Sequence, residues 1–131
     1  MLSFEEMIKE AQKAIEQVNN IIVEEMETNA TECVGETQAR TPVKTGNLRR
    51  SMTHDEVQKN GDTFKVNIGS ALEYSEAVED GHKQKVGQYV PAIKKRLVKP
   101  FIQGKHMIRD SVQLQQPKMI EDIKKRIEEE V

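Results

Sequence analysis

A chain of 131 residues, 36% of them hydrophobic, 32% charged and none tryptophan, suits one domain whose core is aliphatic and thin and whose surface can depend on a partner. Its net charge of -2 and isoelectric point near 6.0 exclude a uniformly basic chain built around nucleic acid. No window approaches the roughly 18 apolar residues of a membrane helix, the opening MLSFEEMIKE lacks the basic-then-apolar order of a signal peptide, and the single cysteine, Cys33, excludes an internal disulfide.

From Phe4 the apolar residues Phe4, Ile8, Ala11, Ile15, Val18 and Ile22 recur at alternating intervals of four and three, the pattern of an amphipathic helix. Ser3 and Glu6 stand at capping-box spacing. The stripe continues through Met26, Ala30 and Val34, and no proline intervenes before Pro42, so the helix is expected over about 3–39. At about 1.5 Å per residue it spans roughly 55 Å, longer than a small domain is wide. Part of it is therefore expected to project or to pack on another chain.

Thr41-Pro42 ends that helix, because the residue before proline is pushed out of the α region. Thr45 is expected to cap a short turn through Gly46, Asn47, Leu48 and Arg49. A β-hairpin is expected over about 51–68: a strand over 51–58, a turn at Asn60-Gly61-Asp62, and Phe64, Val66 and Ile68 alternating with Lys65 and Asn67. Leu72, Tyr74, Ala77 and Val78 then line one side of a short helix over about 72–80 that closes at Gly81. The next stretch is polar, basic and broken by Gly87, Pro91 and Pro100, which predicts an extended arm over about 83–104 in which Tyr89-Val90 and Leu97-Val98 can pair. A final helical segment over about 105–130 holds Met107, Ile108, Val112, Leu114, Met119, Ile120, Ile123 and Ile127, and Pro117 within it predicts a second helix start or a kink. The class is α+β: one domain over 1–131, with the long N-terminal and the C-terminal helix packed on a small antiparallel sheet and an extended basic arm.

No constellation for catalysis is present. His54, His82 and His106 lie far apart, with no cysteine or second histidine at metal-ligand spacing, so no metal is expected and His106 is read as opening the last helix. The pairs Glu5-Glu6, Glu24-Glu25 and Glu79-Asp80 read as solvated helix faces, and Gly81, Gly87 and Gly104 are too scattered for a phosphate cradle. Ser51, His54 and Asp55 fall on one expected strand, which cannot assemble a triad. No enzyme activity, cofactor or small-molecule substrate is expected.

The charge is unevenly distributed. Residues 1–39 carry nine acids against Lys9 and Lys13, whereas eight lysines and arginines and no acid lie between Lys83 and Arg109. Such blocks repel within one fold and attract the opposite block of a neighbour. The run Lys94, Lys95 and Arg96, with Lys99, Lys105 and Arg109 and with Tyr89 and Phe101 for stacking, also raises a nucleic-acid-binding module as the rival reading.

Two segments carry more than composition: RTPVKTGNLRRS at 40–51, and YSEAVEDGH at 74–82 followed by Tyr89-Val90-Pro91 and by Gly104-Lys105-His106-Met107. In this order the chain resembles the minor tail or tail-completion proteins of tailed phages and prophages. The resemblance implies a structural, non-catalytic role in head-tail joining at the neck. The implied partners are further copies, in a ring whose sixfold symmetry would match the tail, and other neck and tail proteins, with no membrane involved. The implied location is the bacterial cytoplasm during assembly and then the particle's neck or tail. Within the motifs, Pro42 and Gly46 are expected to fix a turn that aims Leu48 inward and leaves Arg49 and Arg50 outward; the same residues also suit a turn that merely connects two elements. Tyr74 and Val78 share a helical face and are expected to be buried, with Glu79 and His82 left for polar contacts. Lys83, Lys85, Lys94, Lys95, Arg96 and Lys99 of the arm are the expected subunit contact. Pro100 and Lys94, Lys95 and Arg96 have no counterpart in the motif, so the arm's conformation stays open.

Overall fold

The computed structural model describes residues 3–43, 46–83, 87–91, 95–96 and 101–131. Helix α1 runs from Phe4 to Arg40, capped by a reciprocal box in which the Ser3 hydroxyl accepts from the Glu6 amide and the Glu6 carboxylate accepts from the Ser3 amide. It stops where Thr41, preceding Pro42, turns extended at φ -78° and ψ 133°. Helix α4, Met107–Glu130, lies antiparallel along it. Arg40 meets Ser111 at one end of the pair and Gln17 donates to the Glu130 carbonyl at the other.

Pro117 sits inside α4, which runs on through it as one helix instead of starting a second. Its lost amide bond is tolerated because the residue is exposed and the helix is held along its length by α1. The α1–α4 pair carries a polar network beside its buried apolar residues. Arg126 pairs with Glu24 at 2.8 Å and Glu25 at 3.3 Å, and Lys118 with Glu32 at 2.6 Å. Asn29, buried at 1% exposure, donates to the Glu25 carbonyl and to Asp122 and accepts from Gln115. Exposed ion pairs are worth about 0–1 kcal/mol each, so they add little stability, whereas a buried, satisfied amide penalises any shift that would orphan it. Asn29 therefore sets the register of the two helices.

Between the long helices come the short α2 (Asn47–Ser51), β1 (Thr53–His54), β2 (Gln58–Asn60), β3 (Thr63–Lys65), β4 (Ile68–Gly69) and α3 (Ser75–Asp80). The β1–β4 and β2–β3 pairs form one interrupted hairpin. Thr53 faces Gly69 and His54 faces Ile68, and after the register slips by one residue Gln58 faces Lys65. The extra residue lies between Asp55 and Gln58, in the manner of a bulge. Ser51, expected in a strand, instead closes α2, where its hydroxyl donates to the Leu48 carbonyl.

Two further antiparallel pairs follow, β5 (Gly81–Lys83) with β8 (Phe101–Gln103) and β6 (Tyr89–Val90) with β7 (Lys95–Arg96). The basic arm is thus a ribbon in its described parts. Tyr89-Val90 pairs with Lys95-Arg96; Leu97-Val98, the expected partners, lie outside the described residues. The α+β class expected from the sequence is what the chain adopts.

The core is small. Leu48, Met52 and Met107 are buried together, with Val34, Leu72, Val78 and Ile108 packed on them, and α1 adds Ile21, Met26, Ala30 and Cys33. The first three turns of α1 take no part, since Phe4, Met7 and Ile8 are all exposed.

Candidate functional site

The two sequence motifs meet at one place, the joint where α3 hands over to α4. There, α3 ends at Gly81 and the Gly104-Lys105-His106 stretch runs across its last turn, the Lys105 amide donating to the Val78 carbonyl at 2.7 Å and the His106 amide to the Glu79 carbonyl at 3.0 Å. Gly104 permits the approach, because a Cβ there would collide with the backbone of Glu79, Asp80 and Gly81. The handover is reciprocal. His106, the N-cap of α4, stands in the left-handed region at φ 49° and offers no side-chain cap. Glu79 replaces it from α3: its two carboxylate oxygens accept the amides of Ile108 and Arg109 at 2.9 Å each. These are the second and third helical residues, the pair an N-cap side chain ordinarily serves, and a carboxylate there also suits the positive end of the helix.

The first motif builds the facing wall. Thr41 is buried and its hydroxyl donates to the Thr37 carbonyl, while the Thr37 hydroxyl donates to that of Cys33. Leu48 is buried as expected, and Gly46 starts α2 at φ 75°, a conformation that favours glycine. The N-cap of α2 is Gly46; Thr45, the expected cap, lies outside the described residues. Pro42 is exposed after the helix end.

Several expected surface roles are corrected. Arg49 does not point outward: it is half-buried, donates to the Thr41 carbonyl at 3.2 Å, and its Nε is buried with no hydrogen-bond partner. It thereby caps the end of α1, for which a short helix immediately after a Pro turn gives the right reach. Arg50 is exposed and donates to Asn47 at 2.6 Å. Tyr74 is 46% exposed at the start of α3, and its neighbour Ser75 is buried in its place; a helix beginning three residues later than 72 rotates the tyrosine off the inner face. Val78 is half-buried against the core.

His82 and Lys83 are exposed on β5. Lys95 lies on β7, as does Arg96, whose guanidinium lies 5.9 Å from the Tyr89 ring centroid and donates to the Gly87 carbonyl at 2.9 Å. Lys85, Lys94 and Lys99 lie outside the described residues.

Three sites with chemical potential can be weighed among the described residues. Glu79, Asp80 and His106 bring ligand-type atoms within 4.8 Å of one another, a grouping invisible in sequence spacing. Both Glu79 oxygens already serve α4, which accounts for their position without an ion. An open cleft of about 420 Å³ between α1, the hairpin and α4 is lined by Met26, Ala30, Cys33, Phe64, Ile68 and Met119, with the amides of Asn29, Asn67, Gln115 and Gln116 at its edges. Burial pushes the Cys33 thiol up, which disfavours the thiolate that a nucleophile needs. Ser51, His54 and Asp55 do not converge: Ser51 pairs with Ser70 at 2.6 Å, and His54 turns its ring to Thr31 and to the Asp55 carbonyl. No described helix is long and apolar enough to cross a membrane.

The role of Glu79 was the main omission of the sequence reading. A signal existed: α4 opens without Ser, Thr, Asp or Asn at its N-cap, so its first amides need an acceptor from elsewhere in the chain.

Comparison with known proteins finds no curated protein and no solved structure that matches the chain. A family described as "Bacteriophage HK97-gp10, putative tail-component" matches over residues 5–81, from the first turn of α1 to the glycine that closes α3. That span takes in α1, the Thr41-to-Ser51 turn, the hairpin and α3 with its capping glutamate, and the chain belongs to this HK97-gp10-like family of phage tail components.

Proposed function

We propose that the protein completes the tail and joins it to the head at the phage neck, acting by self-assembly into a ring and by contacts with neighbouring neck and tail proteins, without catalysis. One observation carries the reading. The motif residues Thr41, Leu48, Arg49 and Glu79 are spent inside the chain, at the end of α1, in the core and in the α3–α4 joint, while α1 leaves its first three turns bare and the described part of the basic arm stands exposed. Side chains spent on the joint hold the fold; exposed apolar and charged surface is what remains for partners. Unlike surfaces at opposite ends of an elongated subunit make head-to-tail contacts, which close as rings or run on as filaments. A sixfold ring is the expected closure.

Deleting the gene from its phage should leave full heads and unjoined tails by electron microscopy, and purified protein added to such an extract should restore joined particles. Joined, infectious particles without the gene would end this reading, as would a protein that stays monomeric in light scattering and ignores isolated tails.

A second reading is supported by Lys83, Arg96, Lys105 and Arg109, all exposed in a segment free of acids. It has the segment touch DNA through phosphate contacts. A salt-sensitive gel shift that disappears on neutralising Lys94, Lys95 and Arg96 supports it; no shift at low salt removes it.

A further inference from the structure

The bare end of α1 and the basic ribbon are complementary to each other. Gln17 makes the last hydrogen bond between α1 and α4, beside a crevice that Lys13 and Glu16 share with Arg126 and Glu130, and residues 4–16 run about 20 Å past that bond. On that extension Phe4, Met7, Ile8 and Ile15 are between 52% and 84% exposed. They continue the stripe that Met26 and Cys33 bury further along the same helix. At about 100° per residue, Glu5 and Glu10 border this stripe on its two sides, Glu16 and Lys9 lie side by side farther round, and Glu6 and Lys13 fall on the opposite face, so the stretch carries four acids against two lysines. The surface is an apolar strip with acidic edges.

The ribbon offers the reverse. Tyr89 and Phe101 are about half exposed, and the exposed charges beside them, Lys83, Arg96 and Lys105, are all cationic in a segment with no acid between 83 and 109. The ribbon is rooted at the N-terminus of α4, next to Arg40, whereas the bare helix end lies past the C-terminus of α4. The length of α4, about 36 Å, separates the two roots. A contact that joins one copy's ribbon to another copy's helix end therefore runs head to tail, with a different patch used on each side. Antiparallel or parallel pairing of two bare helix ends would instead bring acidic edges together.

We propose that the Phe4–Ile15 stripe of one copy is covered by strands β5–β8 of the next copy, the aromatic rings on the apolar strip and the cations against Glu5, Glu10 and Glu16. This pairing rests on the self-assembly reading and names its interface.

The test uses two charge-reversed full-length proteins, one carrying Glu5→Lys, Glu10→Lys and Glu16→Lys and the other Lys83→Glu, Arg96→Glu and Lys105→Glu. Sedimentation velocity compares each alone, the equimolar mixture and the parent, after circular dichroism confirms that each is folded. Each variant alone should associate at least about tenfold more weakly than the parent, and the mixture should recover association, because each helix end then meets a ribbon of opposite sign. A photo-crosslinker at Ile8, with isotope-labelled and unlabelled copies mixed, should attach to residues 81–103 of the other copy. If the parent associates but a variant alone does so equally well, or the mixture gains nothing, or the crosslinks land on α1 or on the apolar cleft, the pairing is wrong and self-assembly stands. If the parent neither associates nor crosslinks, in solution or on isolated tails, both readings fall together.

Discussion

Replacing Glu79 with alanine removes the acceptor of two α4 amides at once. The Ile108 and Arg109 amides, each 2.9 Å from a carboxylate oxygen, lose their partner, and His106 has no side-chain cap to substitute. Loss of an N-cap side chain costs about 0.5–2 kcal/mol, and hydrogen bonds to a charged group run somewhat above neutral ones. Glu79 is half-buried and also ties α3 to α4, which places Glu79→Ala near 2 kcal/mol, at the upper end of that range. For a chain of this size each kcal/mol corresponds to about 3–4 °C, so the melting temperature should fall by about 6–8 °C. Glu79→Gln keeps one acceptor oxygen and loses the charge, and should show about half that drop. The assay is thermal unfolding by circular dichroism, with hydrogen exchange at Ile108 and Arg109 as the local readout. If Glu79→Ala melts no lower than Glu76→Ala, an exposed site on the same helix, or if the two amides keep their protection, the reciprocal joint is not what holds α4.

Three further outcomes follow from the same structure. Gly104→Ala places a methyl group against rigid backbone at Glu79, Asp80 and Gly81, and should cost about 3 kcal/mol in chemical denaturation; a loss under 1 kcal/mol would mean that the two segments separate easily. Pro117→Ala restores an amide donor to an exposed position inside α4 and should raise stability by about 1–2 kcal/mol, with no gain arguing that the helix is bent there in a way alanine does not relieve.

The pH dependence has a defined sign. The backbone and side-chain amides of Asn67 hold the Asp55 carboxyl below the usual range, Lys118 and then Gln115 do the same for Glu32, and Arg126 for Glu130. The folded chain therefore binds these protons less readily than the unfolded chain, so stability rises with pH across the carboxylate range. It is fully present above about pH 5 and lost as pH falls through the lowered values. Asp55→Asn should flatten the dependence of melting temperature on pH between about 3 and 5, and an unchanged slope would refute the assignment.

The sequence by itself determined the elements whose causes are local. The four-and-three spacing from Phe4, the Ser3–Glu6 box and Thr41-Pro42 give α1 its existence, start and stop, because periodicity, capping and the pre-proline clash all act within a few residues. Asn60-Gly61-Asp62 likewise gives the hairpin turn, with Gly61 at φ 64°. The order of motifs was enough to indicate a phage tail family.

Tertiary structure decided the rest, because the deciding partner lies far along the chain. Pro117 reads as a break until α1 is seen holding α4 on either side of it, and Arg49 reads as a surface cation until Thr41 turns its carbonyl toward it. Glu79 reads as one of a pair of solvated acids until α4 begins without a cap beside it, 29 and 30 residues downstream. Each of these is a backbone group needing a partner that its own neighbours cannot supply, and no local pattern records which distant residue fills the need.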